Sequence, residues 1–382
     1  MTGRASLTRR RLLELGGVGA AALPLFYIGN PALAAEGDLA AQIAAAKELI
    51  AKSAASSVPW DGPTTGPKAQ VGKTVILISE DQRNGGPLGV SEGVTEAAKV
   101  IGWKLTILDG AGVIANRSAA FGQAIALKPD IIIADNDDAT EQKVNIIKAV
   151  NAGIKVLGWH SNVKPGPMEG VPIFTNISTD PTVVAKVAAA LAIANAEGKA
   201  GVVVFTDATE KISVMKSNAM AANIKECSGS TVLETIDTPL ASVSTRIPQM
   251  TQSLHQRFGK KWTHSLAIND GFFDFMAPTL RAAGSPGSGP PVNISGGDGS
   301  KAAFERIRGN NYQYATVAEP LSLHGWQLID EANRALAGEN WSGYVAPTHL
   351  VTKENIGSNG GPQNVYDPDN RYRDVYKRIW GV

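Results

Sequence analysis

The feature that most constrains this chain is a repeated unit: a short apolar run, a polar or glycine-containing turn, then an amphipathic stretch. Thr74 to Ile78, Trp103 to Leu108, Ile131 to Ala134 and Ile154 to Trp159 are four such runs. After the first of them, Val90, Val94, Ala97, Ala98 and Ile101 fall on one helical face, and Gly102 takes the C-terminal cap position. A helix bearing Val144, Ile147 and Val150 precedes the fourth run. Strands apolar on both faces and separated by helices predict a parallel sheet covered on both sides.

The series restarts after Asn176, where Thr179-Asp180-Pro181 supplies a helix cap and a proline at the first helical position. Gly201 to Phe205, Val232 to Ile236, Ser265 to Ile268 and Val292 to Ser295 are the strands of this second series. Pro248 falls in one of its helical stretches and predicts a kink or a split helix there. The expected architecture is α/β: two doubly wound parallel-sheet lobes with a cleft between them.

What precedes the first strand reads differently. Thr8-Arg9-Arg10-Arg11-Leu12-Leu13, an apolar stretch from Leu15 to Ile28, and small residues at Ala32 and Ala34 have the three parts of a twin-arginine export signal, with cleavage expected before Ala35. Residues 35–70 follow as a short amphipathic helix carrying Leu39, Ile43, Ala46 and Ile50, then a Pro/Gly-rich loop running through Pro59 to Pro67. Loss of residues 1–34 removes four arginines and one glutamate, so the net charge of +1 becomes −2. That balance leaves no basic footprint for nucleic acid or a membrane surface. Cys227 is the only cysteine, which rules out an intramolecular disulfide, a Cys-pair metal site and a lipid-anchor cysteine next to the signal. A free, monomeric periplasmic protein is expected.

In open α/β sheets ligands sit beyond the carboxyl ends of the strands. The turns at those positions are Glu80-Asp81-Gln82-Arg83-Asn84, Asp135-Asn136-Asp137-Asp138, Trp159-His160-Ser161-Asn162, Asp207, Asn269-Asp270, Asp298 and Glu319. A polyhydroxylated ligand needs such a lining, because each buried hydroxyl both donates and accepts, and amides and carboxylates satisfy neighbouring pairs. Trp159, Phe272 or Phe273 would cover an apolar ring face. Asp135 to Asp138, ahead of Ala139-Thr140, read more simply as caps of the following helix.

Other chemistries find little support. Gly72-Lys73-Thr74 resembles the tail of a phosphate loop, but its earlier glycine is Pro67 and it precedes its strand. No G-x-G-x-x-G follows the first strand, no nucleophile elbow occurs, and the five histidines form no pair at zinc-ligand helical spacing. Neither a cofactor nor a metal is expected. An enzyme would have to draw on Asp135, Asp207 and His160 as acid-base groups, and a binding role is the stronger expectation.

Asn84-Gly85-Gly86-Pro87, Ala267-Ile268-Asn269-Asp270, Ser295-Gly296-Gly297-Asp298-Gly299 and Thr316-Val317-Ala318-Glu319 stand in an order and spacing that resembles the ribose- and galactose-type periplasmic sugar-binding proteins of ABC transporters, over roughly residues 71 to 350. The resemblance implies the type I periplasmic binding protein fold. Its first lobe would be residues 71–176 plus 320–345, and its second lobe and tail 177–319 plus 346–382. Three hinge segments would join them at Asn176 to Thr179, Glu319-Pro320 and Tyr344 to Thr348. It also implies ligand contacts at Asn84, Asn269, Asp298 and Glu319, with a basic contact at or near Lys216. Asp81, Trp159 and His160 complete the candidate set. Ribose binders carry Asp-Arg after the fourth strand and paired aromatics in the first loop, where this chain has His160-Ser161 and Gly86-Pro87. The ligand implied is therefore a monosaccharide or related polyol other than a strict ribose match, handed to an ABC permease or presented to a chemotaxis or signalling receptor. A sugar-responsive repressor would need a helix-turn-helix before residue 71, and none is present. In the tail, Arg371, Arg373, Lys377 and Arg378 read as part of a packed terminal strap.

Overall fold

The computed structural model describes residues 31–55 and 58–382, with side chains from residue 38 onward. The chain divides into two units, residues 1–38 and 39–382. Of the first, residues 31–38 are helical and open α1 (Pro31–Ser53). The export signal expected at residues 1–34 lies, up to residue 30, outside the described residues. No helix among the described residues is long and apolar enough to cross a membrane.

Residues 39–382 form two sheet-centred lobes. The first holds β1 (Thr74–Ser79), β2 (Lys104–Asp109), β3 (Ile131–Asp135), β4 (Lys155–Trp159) and β5 (Asn176–Ile177), ordered β2-β1-β3-β4-β5 and parallel throughout. Helices α2 (Gly85–Ile101), α3 (Ile114–Leu127) and α4 (Lys143–Asn151) connect them. The second lobe holds β6 (Gly201–Thr206), β7 (Thr231–Asp237), β8 (His264–Ala267), β9 (Val292–Ser295), β10 (Ala315–Ala318) and β11 (His349–Thr352), ordered β11-β10-β9-β8-β6-β7, with only β11 antiparallel. Its helices are α5 (Pro181–Asn195), α6 (Lys211–Glu226), α7 (Val243–Phe258), α8 (Ala277–Ala282) and α9 (Lys301–Arg308). Strand order reverses beside β1 in one sheet and beside β6 in the other, and such a switch point opens a crevice at the strand ends.

Period-two burial explains why both faces are covered. Val75 and Leu77 enter one core while Ile76 and Ile78 enter the opposite one, and Val202 with Val204 and Val203 with Phe205 divide likewise. Two expected patterns differ. Trp103 to Leu108 is not buried on both faces, because β2 is an edge strand and Ile107 is partly exposed. In α4 the buried residues are Ile146 and Ala149, and Val144 faces solvent. Pro248 does not split its helix: α7 runs through it. The carbonyl that proline leaves without its helical donor belongs to exposed Ser244, where water can satisfy it.

The chain passes between the lobes at residues 178–180, 319–320 and 345–348. Helix α10 (Leu321–Ala337) returns to the first lobe against α2, and β11 lies in the second sheet. The tail departs from expectation. After α11 (Ile356–Asn359), residues 372–380 form α12 (Tyr372–Trp380), which packs in the first lobe and not the second. Aromatic burial and one buried hydrogen bond determine this. Trp380 stacks on Trp326 with ring centroids 5.4 Å apart, and its Nε1 donates to Asp330 Oδ1 at 2.8 Å. The terminal segment is a strap, as its packed character predicts, laid across α10. At the other end, Leu39, Ile43 and Ala46 of α1 pack on the second-lobe core, whereas Trp60 in the following loop packs on Tyr344 and Tyr376 of the first.

Candidate ligand-binding site

The carboxyl ends of the strands meet across the cleft, and local capping fixes several of the side chains there. Asn84 is the N-cap of α2, its side chain accepting from Gly86 N. Asn269 caps the short helical turn Asp270–Phe275, accepting from Gly271 N at 2.8 Å. With its oxygen so engaged, its Nδ2 is free to donate to Asp298 Oδ2 at 2.8 Å and, across the cleft, toward Asn84 Oδ1 at 3.4 Å. The turn carrying Asp298 is held from below by Asp270, whose Oδ2 accepts from Gly299 N and Ser300 N at 2.8 and 2.9 Å. Asp270 is thus a scaffold residue.

Glu319, just beyond β10, faces His160, just beyond β4, with Nε2 and Oε2 3.0 Å apart. Lys216, from α6, places Nζ 3.7 Å from Glu319 Oε1 and 3.8 Å from Asp298 Oδ1. The Trp159 ring stacks on His160 at 3.8 Å, and its Nε1 donates to His324 Nδ1 at 3.0 Å. Accepting that bond requires Nδ1 of His324 to be unprotonated, and burial correspondingly pushes His324 down to about 4. Burial pushes Asp298 up to about 6 against the pull of Lys216 and His160. Burial also raises Glu319, but His160, Lys216 and His324 outweigh it and hold that carboxyl below its ordinary range. His160 has a backbone φ of 50°, in the left-handed region that non-glycine residues seldom adopt, as has Asn136 at 57° beside it.

Seven of the eight residues singled out from sequence are linked to one another by the contacts above: Asn84, Trp159, His160, Lys216, Asn269, Asp298 and Glu319. The eighth, Asp81, lines the same cavity as Asn84, Asn269 and Asp298, with its carboxylate gripped by Arg83 at 2.9 and 2.6 Å. Phe272 and Phe273 are fully buried in the second-lobe core, and the aromatic that lines the cavity is Phe275. The cavity has a volume of about 320 Å³ and includes Asn84, Asn269 and Asp298 in its wall.

The expected capping by Asp135 to Asp138 is also corrected. Helix α4 starts only at Lys143, Asp138 holds a turn through Thr140 N at 2.7 Å, and Asp135 is the last residue of β3. Asp135 is fully buried on the same sheet face as Leu77 and Trp159, and neither carboxylate oxygen has a hydrogen bond of normal geometry. Sequence reasoning placed Glu80 and Asn136 at strand ends without selecting them, and it missed Glu210. Asn136 Nδ2 lies 3.4 Å from both Glu80 Oε2 of its own lobe and Glu210 Oε1 of the other. The signal available for Glu210 was its position just ahead of the helix carrying Lys216.

His160, Asp298 and Glu319 bring metal-capable atoms within 4.8 Å of one another. Lys216 Nζ already supplies the positive charge between the two carboxylates, so this donor set does not suit a cation.

Over residues 76–340 the sequence matches the family described as periplasmic binding protein domain. No curated protein matches it. Among solved structures, a sugar ABC transporter protein from Yersinia enterocolitica subsp. enterocolitica 8081 is 17% identical, with 84% of this chain and 99% of that one covered and a TM-score of 0.68. An ABC transporter solute-binding protein from Agrobacterium vitis, bound with α-D-tagatopyranose, is 18% identical over 77% and 99% of the two chains, with a TM-score of 0.67. A twin-arginine translocation pathway signal protein from Burkholderia phytofirmans is 17% identical over 80% and 97%, with a TM-score of 0.68. These likenesses establish the shared fold, and the family match covers most of the chain. The chain belongs to the periplasmic binding protein domain family, whose members bind and carry ligands and are not enzymes.

Proposed function

We propose that this chain is the solute-binding component of an ABC importer, taking a monosaccharide or related polyol into the cleft between its lobes and delivering it to a permease. The observation that carries this reading is the Asn84, Asn269 and Asp298 chain of side chains across the cleft, at the wall of a cavity small enough to select one sugar-sized ligand. Planar amides and carboxylates from both lobes match the paired hydroxyls of a sugar, and a ligand touching both lobes favours the closed arrangement by its differential contacts. The passages at 178–180, 319–320 and 345–348 act as the hinge. Fold neighbours that bind or transport sugars support the ligand class, and the arginine-rich leader supports export to the periplasm through the twin-arginine pathway.

A thermal-shift screen of pentoses, hexoses and polyols tests the reading, because a ligand bound only by the folded state raises the melting temperature. At least one sugar or polyol should do so and be recovered chemically unchanged. A screen in which none stabilises the protein, or in which the bound sugar is converted, would overturn it. Deleting the gene for this chain separates delivery from signalling: uptake should stop, and a lost behavioural response with normal uptake would favour the receptor role.

A further inference from the structure

The cavity of about 320 Å³ has two unlike walls. Asn84, Asn269 and Asp298 supply a polar one, the chain of side chains already described. The other is built where the turn Leu240–Ser242 and the start of α7 meet the end of the turn Asp270–Phe275, and there Leu240, Ala241, Val243 and Phe275 line the cavity. Leu240, Val243 and Phe275 are rooted in the second-lobe core, so this apolar wall is held in place by packing. Ser244 beside them is exposed to solvent.

The charged groups on the rest of the lining are committed within their own lobes. Arg83 grips Asp81 and donates to the Ala111 carbonyl at 3.1 Å. Asp270 holds Gly299 N and Ser300 N, and Asp274 pairs with Arg306. Glu80 faces Asn136 Nδ2 at 3.4 Å and Arg117 at 4.0 Å. Hydroxyl-binding capacity is therefore concentrated on the polar wall. A sugar hydroxyl turned toward Leu240, Val243 and Phe275 would give up its water partners and find no replacement, whereas a methyl group there would gain apolar contact. A fully hydroxylated hexose carries a hydroxyl on its exocyclic carbon, and a 6-deoxyhexose carries a methyl at that end and keeps its ring hydroxyls.

We propose that the cleft selects a 6-deoxyhexose, with ring hydroxyls on Asn84, Asn269 and Asp298 and its methyl group against Leu240, Val243 and Phe275. This deepens the sugar-binding reading and rests on it. Calorimetry on the purified full-length chain tests it with matched pairs that differ by one hydroxyl: L-fucose against L-galactose, D-fucose against D-galactose, L-rhamnose against L-mannose, and 6-deoxy-D-glucose against D-glucose. In the pair that fits, the deoxy sugar should bind at least about tenfold more tightly than its hydroxylated partner. Val243→Thr is nearly isosteric and puts a hydroxyl on the apolar wall, and Leu240→Asn places an amide there in case the first variant misfolds. Either should bring the ratio within about threefold, because the extra hydroxyl then has a partner. A ratio unchanged in both folded variants would place the methyl group elsewhere and overturn the proposal. Equal or tighter binding of the hydroxylated partner would overturn it while leaving the sugar-binding reading intact, as would binding of another sugar or polyol when none of these pairs binds. If no sugar or polyol binds, both fall.

Discussion

His160 Nε2 and Glu319 Oε2 stand 3.0 Å apart across the cleft, one just beyond β4 of the first lobe and the other just beyond β10 of the second, and both side chains are almost wholly buried. Neither would tolerate desolvation alone. Glu319→Gln should therefore destabilise the closed protein by about 3 kcal/mol, the cost of leaving buried Lys216 and His160 with one carboxylate between them. Urea unfolding in saturating ligand, where the lobes are closed, reads this directly. A midpoint equal to the parent's under those conditions would mean that the pair adds nothing to the closed form.

Asn269 accepts from Gly271 N and donates to Asp298 and Asn84, which leaves one lone pair of its oxygen for a ligand hydroxyl. Asn269→Ala removes the cap and the cross-cleft link together. Ligand affinity should fall by at least about 1 kcal/mol, since hydroxyl partners are stranded in a dry site. Unaltered calorimetric affinity would remove Asn269 from the site.

Gly85 offers a test of closure. A Cβ on Gly85, in the first lobe, would lie 2.4 Å from Ser300 Cβ and 3.3 Å from Ser300 Cα in the second. The overlap exists only while the lobes touch, and an alanine at this helical position suits the separated form. Gly85→Ala should keep the unfolding midpoint of the ligand-free protein and weaken binding tenfold or more, about 1.4 kcal/mol. Small-angle scattering should show no ligand-induced contraction in the variant. Contraction equal to the parent's would refute interlobe closure at this contact.

The raised carboxyl groups give stability a definite slope with pH. Asp298 and Asp137 titrate near 6, Glu331 near 7 and Glu210 near 8 in the folded state, each above its unfolded value chiefly because burial disfavours the charged form. Below about pH 6.5 the buried histidines His264, His324 and His349, pushed down to about 4, oppose this effect, but between about pH 6.5 and 8 the folded state holds more protons than the unfolded one, so stability falls as pH rises through this window. Glu319 acts oppositely, its depressed value contributing stability above the unfolded pKa that disappears only at acid pH. The ligand-free melting temperature should decline from pH 6.5 to 8, and Glu210→Gln should flatten the upper part of the decline. A flat or rising profile would mean that these groups are solvated.

Much of this was legible in the sequence because it is periodic. Val75 to Ile78 and Val202 to Phe205 divide between two faces as strictly alternating strands must, and the turns after β1, β4, β8 and β9 contain Asn84, His160, Asn269 and Asp298. The edge position of β2 was not legible, since an apolar run reads the same at the edge as in the centre. Nor was the burial of Asp135. An aspartate before Asn-Asp-Asp looks like a cap, and only the sheet register, which sets it between Ser79 and Trp159, makes it the buried last residue of a central strand. Glu210 escaped because it contributes from a loop in the opposite lobe, a pairing set by tertiary contact with Asn136 and not by spacing.

The terminal strap provides the last expectation, because its anchor is far from the cleft. Trp380 is buried to within 1% of its surface, stacks on Trp326, and donates to Asp330, which also receives Arg334 Nε at 2.8 Å. Ala69 N reaches back to the Trp380 carbonyl at 3.0 Å, so the strap also holds the segment that leads into β1. Trp380→Ala removes a large buried ring and leaves an oxygen of Asp330 without its donor. The loss should be about 3 to 5 kcal/mol, read as a lower urea midpoint with an unchanged ligand dissociation constant under native conditions. Trp380→Phe keeps much of the packing and loses only the hydrogen bond, so it should recover most of the difference. If the alanine variant instead kept its stability and lost ligand affinity, the strap would belong to the hinge and not to the first-lobe core.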